Sequence, residues 1–239
     1  MQPISRLTSL AALSICTLLC VGTLRAQSSG VDVTAHVNIT PVSARKPAGD
    51  LSNVVVWLVP TQPVSIAPPS TPHPPYQLLQ KDKQFHPHLL VVPVGSSVEF
   101  PNADPFFHNV FSLFNGKRFD LGLYEAGAHR YVRFDHEGVS YIFCNIHPEM
   151  GAVILSLSTP FYAISAPDGS IVIHDVPPGS YQLHAWSENA QPVASSKLLQ
   201  VGTQNLHLDE ILLRRSPSPL LNHKNKFGED YHSTPTSPY

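Results

Sequence analysis

Apolar and polar residues alternate along Val31-Asp32-Val33-Thr34-Ala35-His36-Val37. That period of two turns successive side chains to opposite faces of a half-buried strand. Asn53-Val54-Val55-Val56-Trp57-Leu58-Val59 is instead an almost unbroken apolar run, which predicts a strand covered on both faces. Two strands do not close a core. From Pro60 to Pro75 the chain is dense in Pro, Ser and Thr and reads as an irregular linker. Strand-like segments resume between Tyr76 and Leu157. Leu89-Leu90-Val91-Val92-Pro93-Val94 leads through Gly95-Ser96-Ser97 into Val98-Glu99-Phe100, and four further segments follow at Asn109–Ser112, Arg130–Phe134, Val139–Phe143 and Ala152–Leu155. A third stretch, Tyr162 to Leu213, carries the turn signal Pro167-Asp168-Gly169-Ser170, then Ile171-Val172-Ile173 and a run from Val176 to Trp186. No 3.6-residue period persists anywhere, so the expected fold class is all-β with abundant turns. Beyond Arg215 the apolar content falls, and residues 216–239 are expected to form a disordered tail.

The N-terminus changes the setting. Arg6, an apolar run from Leu10 to Leu24 and then Ala26 read as a secretory signal, residues 1–26, cut after Ala26. The apolar run is shorter than the roughly 20 residues that span a bilayer, and no other segment of the mature chain is a candidate span. Retention of the leader as an anchor is the alternative. The bulky Leu19 before Cys20 argues against a lipidation site. The expected location is periplasmic or otherwise exported. Without Arg6 and Arg25 the chain keeps 13 basic against 17 acidic residues, a formal charge of −4, which argues against a nucleic-acid partner.

Export also sharpens the cysteine count. Cys16 and Cys20 fall within the leader, so the mature chain retains Cys144 alone. A single cysteine cannot form an intramolecular disulfide; it is a buried small hydrophobe or a reactive or metal-bound thiolate. Here it opens Cys144-Asn145-Ile146-His147-Pro148-Glu149-Met150, with His108 thirty-six positions upstream. One thiolate, two imidazoles and one thioether select copper in a trigonal His2Cys site with a long axial Met. Each residue alone has an ordinary reading as core or surface. Together they predict one mononuclear copper site at His108, Cys144, His147 and Met150, placed at strand ends and in one loop. His86 and His88 form a His-x-His pair that lacks a third ligand at clear spacing, and His73, His223 and His232 fall in loops or tail with no role.

From about Gln84 to Leu157 the segment carrying this motif resembles cupredoxins, the blue-copper family that includes plastocyanin, pseudoazurin and amicyanin. The Cys-x-x-His-x-x-Met loop is closest in length to that of amicyanin, and His108-Asn109-Val110 resembles the family's first-ligand segment. The resemblance implies a Greek-key β-sandwich with a type 1 copper near one end. It also implies that the Asn109 side chain ties the first-ligand segment to the cysteine loop. Pro148 would stiffen that loop by fixing its own φ and restricting His147. Phe106, Phe107 and Ile146 would form, with Pro148, an apolar collar where a partner docks at His147. Glu149 departs from the apolar residue at the matching place in amicyanin.

Residues 162–186 resemble the later half of carboxypeptidase-regulatory-like domains, small transthyretin-like β-sandwiches. The residues concerned are Phe161 to Ser170 and the Pro-Pro-Gly-x-Tyr sequence Pro177-Pro178-Gly179-Ser180-Tyr181; residues 31–59 match the earlier half. This implies a discontinuous sandwich of residues 31–60 plus 160–213, with a cupredoxin domain of residues 76–158 inserted in or adjacent to it. The combination resembles methylamine-utilisation proteins. The function implied is one-electron transfer between redox partners, such as a c-type cytochrome or a dehydrogenase, by a protein that is not an enzyme. Phe143 and Asn145 flank Cys144, so the His-Cys-His bridge of multicopper oxidases is absent. The alternative is a copper-binding module for trafficking or sensing.

Overall fold

A computed structural model describes residues 30–40, 50–64, 74–113, 116–193 and 196–231. The expected leader, residues 1–26, lies outside the described residues. All regular structure there is β, apart from one 3-10 turn at Pro219–Asn222.

Strand β1 (Val31–Thr40) buries Val31, Val33, Ala35, Val37 and Ile39 and turns the intervening residues outward, as its alternation requires. Strand β2 (Val55–Pro60) is apolar on both faces for a reason specific to this molecule. Val54, Val56 and Leu58 point into one core, whereas Val55 and Trp57 join a separate cluster with Leu89, Val91, Val153 and Leu155. It is a wall shared by two cores.

The chain then builds β3 (Tyr76–Gln77), β4 (Leu79–Lys81), β5 (Gln84–His86), β6 (Leu89–Pro93), β7 (Ser96–Pro101), β8 (His108–Ser112), β9 (Phe119–Tyr124), β10 (His129–Phe134), β11 (Gly138–Cys144) and β12 (Gly151–Leu157). A five-stranded sheet runs β6-β12-β11-β8-β9 and a three-stranded one β10-β7-β3, while β4 and β5 pair as a hairpin. Between the two larger sheets Val92, Val98, Phe100, Val110, Phe134, Ile142 and Ile154 form the second core, which also contains Cys144 and Met150.

The last strands are β13 (Tyr162–Ile164), β14 (Ser170–Val176), β15 (Gly179–Trp186), β16 (Ala190–Pro192), β17 (Lys197–Val201), β18 (Leu206–His207) and β19 (Ile211–Arg215). They return to the first two. One sheet has the order β14-β1-β19-β16, with β18 also on β1, and the facing sheet has the order β13-β2-β15-β17. Every strand that pairs with β1 or β2 therefore comes from beyond residue 161, and the first core closes across the intervening segment. The Pro-Pro-Gly-x-Tyr sequence has a local cause: Tyr181 is buried, and its hydroxyl is satisfied by donating to the Pro177 carbonyl at 2.7 Å.

The expectation of a disordered tail is corrected up to residue 231; residues 232–239 lie outside the described residues. Leu220 packs on the cluster shared with β2, the His223 ring stacks on Phe143 with centroids 4.1 Å apart, and Ser218 donates to Glu188. Average composition missed this because the segment is held by a few specific contacts rather than by bulk apolar area.

Candidate metal centre

Adjacent antiparallel strands bring the first two donors together. Cys144 ends β11 opposite Val110 of β8, so His108, at the start of β8, stands at the same end of the sheet. The third arrives by a short turn. Met150 N–H donates to the His147 carbonyl at 3.1 Å and Cys144 N–H to the Met150 carbonyl at 3.3 Å, folding the loop back on its own start.

Cys144 Sγ lies 3.6 Å from His108 Nδ1 and 3.6 Å from His147 Nδ1, and the two nitrogens are 3.1 Å apart. A triangle with those edges has its centre about 2.0 Å from each corner. Metal–imidazole bonds run about 2.0–2.1 Å and metal–thiolate bonds about 2.3 Å. Among the described residues this is the one group of three or more His, Cys, Asp or Glu donors so placed. His108 and Cys144 are fully buried and His147 is half-buried. Met150 is also fully buried, in the same core cluster as Cys144.

Hydrogen bonding decides what those nitrogens present. His108 Nε2 lies 2.9 Å from Asp104 Oδ2, and both side chains are buried. A carboxylate only accepts, so Nε2 carries the proton and Nδ1 offers a bare lone pair toward Cys144 and His147. Burial holds the His108 pKa below its ordinary value despite Asp104. Burial and the neighbouring His108 do the same for His147. Burial pushes the Cys144 thiol up, opposed by main-chain N–H groups of Asn109, Ile146 and His147 directed at the sulfur. Without metal, His147 Nδ1–H can donate to the His108 Nδ1 lone pair across 3.1 Å; with that proton on Nε2 instead, both lone pairs and the sulfur face one point. The donor set therefore fits a soft metal ion, copper above all.

Asp104 was not foreseen, and nothing in the hydrophobic pattern marks it beyond its position four residues before His108. It is itself pinned by N–H donors from Asp82 at 2.7 Å and Lys83 at 3.1 Å. Burial alone would raise its pKa, but the bonds from His108 and those two amides outweigh it and the net shift is downward.

Asn109 departs from the expectation in detail. Its side chain reaches Asp120 Oδ1 at 2.7 Å instead of the cysteine loop, beside the register shift between β8 and β9. The tie to the loop is made by its main chain: the Asn109 carbonyl accepts from Asn145 N–H at 2.9 Å, and its N–H points at Cys144. Pro148 sits exposed in the turn between His147 and Met150. Phe106 packs edgewise on His108 and tilted against His147, with centroids 5.3 and 5.5 Å apart. Phe107 and Ile146 are 50% and 45% exposed, leaving apolar surface beside the one half-buried donor. His88 pairs with Glu188 at 2.6 Å, and no second donor group forms with His86 among the described residues.

No protein-family model and no curated protein matches the chain. Solved structures similar to part of it include a copper-containing nitrite reductase from Thermus scotoductus, at 25% identity over 41% of this chain and 26% of that one, TM-score 0.35. A purple cupredoxin from Nitrosopumilus maritimus aligns at 26% identity over 34% of this chain and 99% of its own, TM-score 0.31. A methionine-to-alanine mutant of amicyanin in its Cu(I) form aligns at 15% identity over 37% and 87%, TM-score 0.34. The chain thus spans about a quarter of the nitrite reductase but most of the two cupredoxins. Donor geometry, rather than these partial likenesses, carries the reading of the metal centre.

Proposed function

We propose that this chain is an exported, periplasmic type 1 copper protein that passes one electron at a time between redox proteins, with His108, Cys144, His147 and Met150 as ligands. The observation that carries the reading is the buried donor triangle whose centre lies about 2.0 Å from all three atoms. When bound there, copper supplies the Cu(I)/Cu(II) couple, and the thioether of Met150 favours the reduced form. Asp104 fixes the His108 tautomer, and the main-chain N–H groups of Asn109, Ile146 and His147 share the thiolate's charge. His147, half-buried against Phe106 and next to the exposed Ile146, is the exit for the electron, and the apolar surface of Ile146 and Phe107 is where a c-type cytochrome or a dehydrogenase would dock. The second sandwich, carboxypeptidase-regulatory-like in its motifs, serves as scaffold.

Electron transfer is favoured over copper delivery because His108 is fixed from behind by Asp104 and the Cys144 sulfur by main-chain N–H groups. Such a site suits exchange without rearrangement better than release of the ion. Copper(II) added to the metal-free protein is expected to give intense visible thiolate-to-copper absorption and a small parallel hyperfine splitting, both abolished by Cys144→Ser. A colourless copper complex of the unaltered protein would overturn the assignment.

A further inference from the structure

The C-terminal segment reaches the ligand loop, and three contacts fall on Phe143, Cys144 and Asn145, with a fourth on Asp120. The Tyr231 hydroxyl donates to the Cys144 carbonyl at 2.9 Å, Lys226 N–H donates to Asn145 Oδ1 at 2.9 Å, and the His223 ring stacks on Phe143 at 4.1 Å. Lys226 Nζ bonds Asp120 Oδ2 at 2.8 Å, while Asp120 Oδ1 accepts from Asn109 Nδ2 at 2.7 Å. The Asn109 carbonyl in turn accepts from Asn145 N–H at 2.9 Å. These bonds form a closed circuit from Lys226 through Asn145, Asn109 and Asp120 back to Lys226, linking both ligand-bearing strands to the segment. At its other end the segment is moored to both sandwiches. Ser218 donates to Glu188, in the turn between β15 and β16, and Leu220 packs on the shared cluster.

We infer that residues 218–231 form a strap belonging to the metal centre, in which Tyr231 and Lys226 are positioning residues that hold the Cys144–Met150 loop and so set the centre's potential and its retention of the ion. The inference rests on the copper reading for its redox part. It gives the second sandwich a task as well, because that sandwich supplies the mooring at Glu188. The Tyr231 hydroxyl draws electron density from the Cys144 carbonyl, which stabilises the reduced centre. Its loss therefore lowers the reduction potential.

The test uses the full chain carrying Tyr231→Phe, Lys226→Met, both together, or the control Tyr131→Phe, which deletes an exposed hydroxyl bound to Glu99. Amide hydrogen exchange is measured first on the metal-free proteins. Each strap variant is expected to speed exchange at the loop amides of Cys144, Asn145 and Met150 by roughly 2- to 10-fold, the equivalent of one hydrogen bond. Amides of β7 and the Tyr131→Phe protein should stay at unaltered rates. In copper-loaded protein Tyr231→Phe is expected to lower the potential and to quicken loss of copper to a chelator by a similar factor. Unchanged loop exchange in the double variant would overturn the strap, as would equal acceleration at every amide. Because exchange is read without metal, failure of the strap is distinguishable from failure of the copper assignment, which shows as absence of colour in the unaltered protein.

Discussion

Replacing Asp104 by Asn keeps the size of the side chain and reverses part of its hydrogen bonding. The carboxylate accepts three N–H bonds, from Asp82, Lys83 and His108, at 2.7, 3.1 and 2.9 Å. An amide cannot accept all three, because one of its ends donates. If the amide nitrogen faces His108, the imidazole must move its proton to Nδ1, the atom aimed at Cys144 and His147, before it can accept. In that orientation the Lys83 N–H, which shares Oδ2 with His108, also loses its acceptor; if the amide is flipped, the Asp82 N–H loses its acceptor instead, in a part-buried site. A hydrogen bond to a charged group contributes about 1.5–3 kcal/mol. At about 1.4 kcal/mol per factor of ten, the expected loss of copper affinity is roughly 10- to 100-fold, the range usual for a group that orients a metal-binding histidine. A chelator competition titration measures the affinity, and nitrogen NMR of the metal-free protein reads the tautomer directly. Affinity within threefold of the unaltered protein, with His108 still protonated on Nε2, would refute the reasoning.

Met150→Leu and Met150→Gln are expected to retain the colour and shift the midpoint potential in opposite directions, up for Leu and down for Gln, in a dye-equilibrium titration; shifts of the same sign would remove Met150 from the ligand set. The fragment 160–239 is expected not to melt cooperatively, because β1 and β2 are interior strands of its two sheets. A sharp calorimetric transition from that fragment would show that the discontinuous sandwich is the wrong unit. Burial raises the Asp120 pKa, but the bonds from Lys226, Asn109 and Gly122 outweigh it and leave the folded value depressed. Its contribution is thus complete above the unfolded-state value of about 3.9 and is lost as pH falls below that through the lower folded value. Acid unfolding curves of Asp120→Asn should lack this part of the acid limb; an unchanged difference between pH 5 and pH 2.5 would contradict it.

Period-two alternation located β1, and residue type, spacing and the family resemblance together assembled His108, Cys144 and His147, since a donor set at strand ends depends on chain order that a sequence displays. The strap was hidden for the opposite reason. Residues 216–231 carry few apolar side chains, and what orders them is a stack on Phe143 and single hydrogen bonds to Cys144 and Asn145, contacts that no local pattern encodes. Asp104 escaped likewise: a polar residue in a turn looks the same whether it faces water or a buried imidazole. For Asn109 the residue was right but the wrong atoms were expected to act, because side-chain direction beside a register shift does not follow from strand alternation.

Val55 and Trp57, on the outer face of β2, lie against Leu89, Val91, Val153 and Leu155, on the back of the very sheet whose ends carry the donors. Heat therefore meets one cooperative body, since parting the two sandwiches would wet a dry apolar seam on both. Any ion that binds the folded centre and ignores the unfolded chain raises stability by RT ln(1 + [L]/Kd), and that increment is shared across the seam. Tyr181, in the other sandwich, should thus report metal loading by melting later, although it touches no ligand.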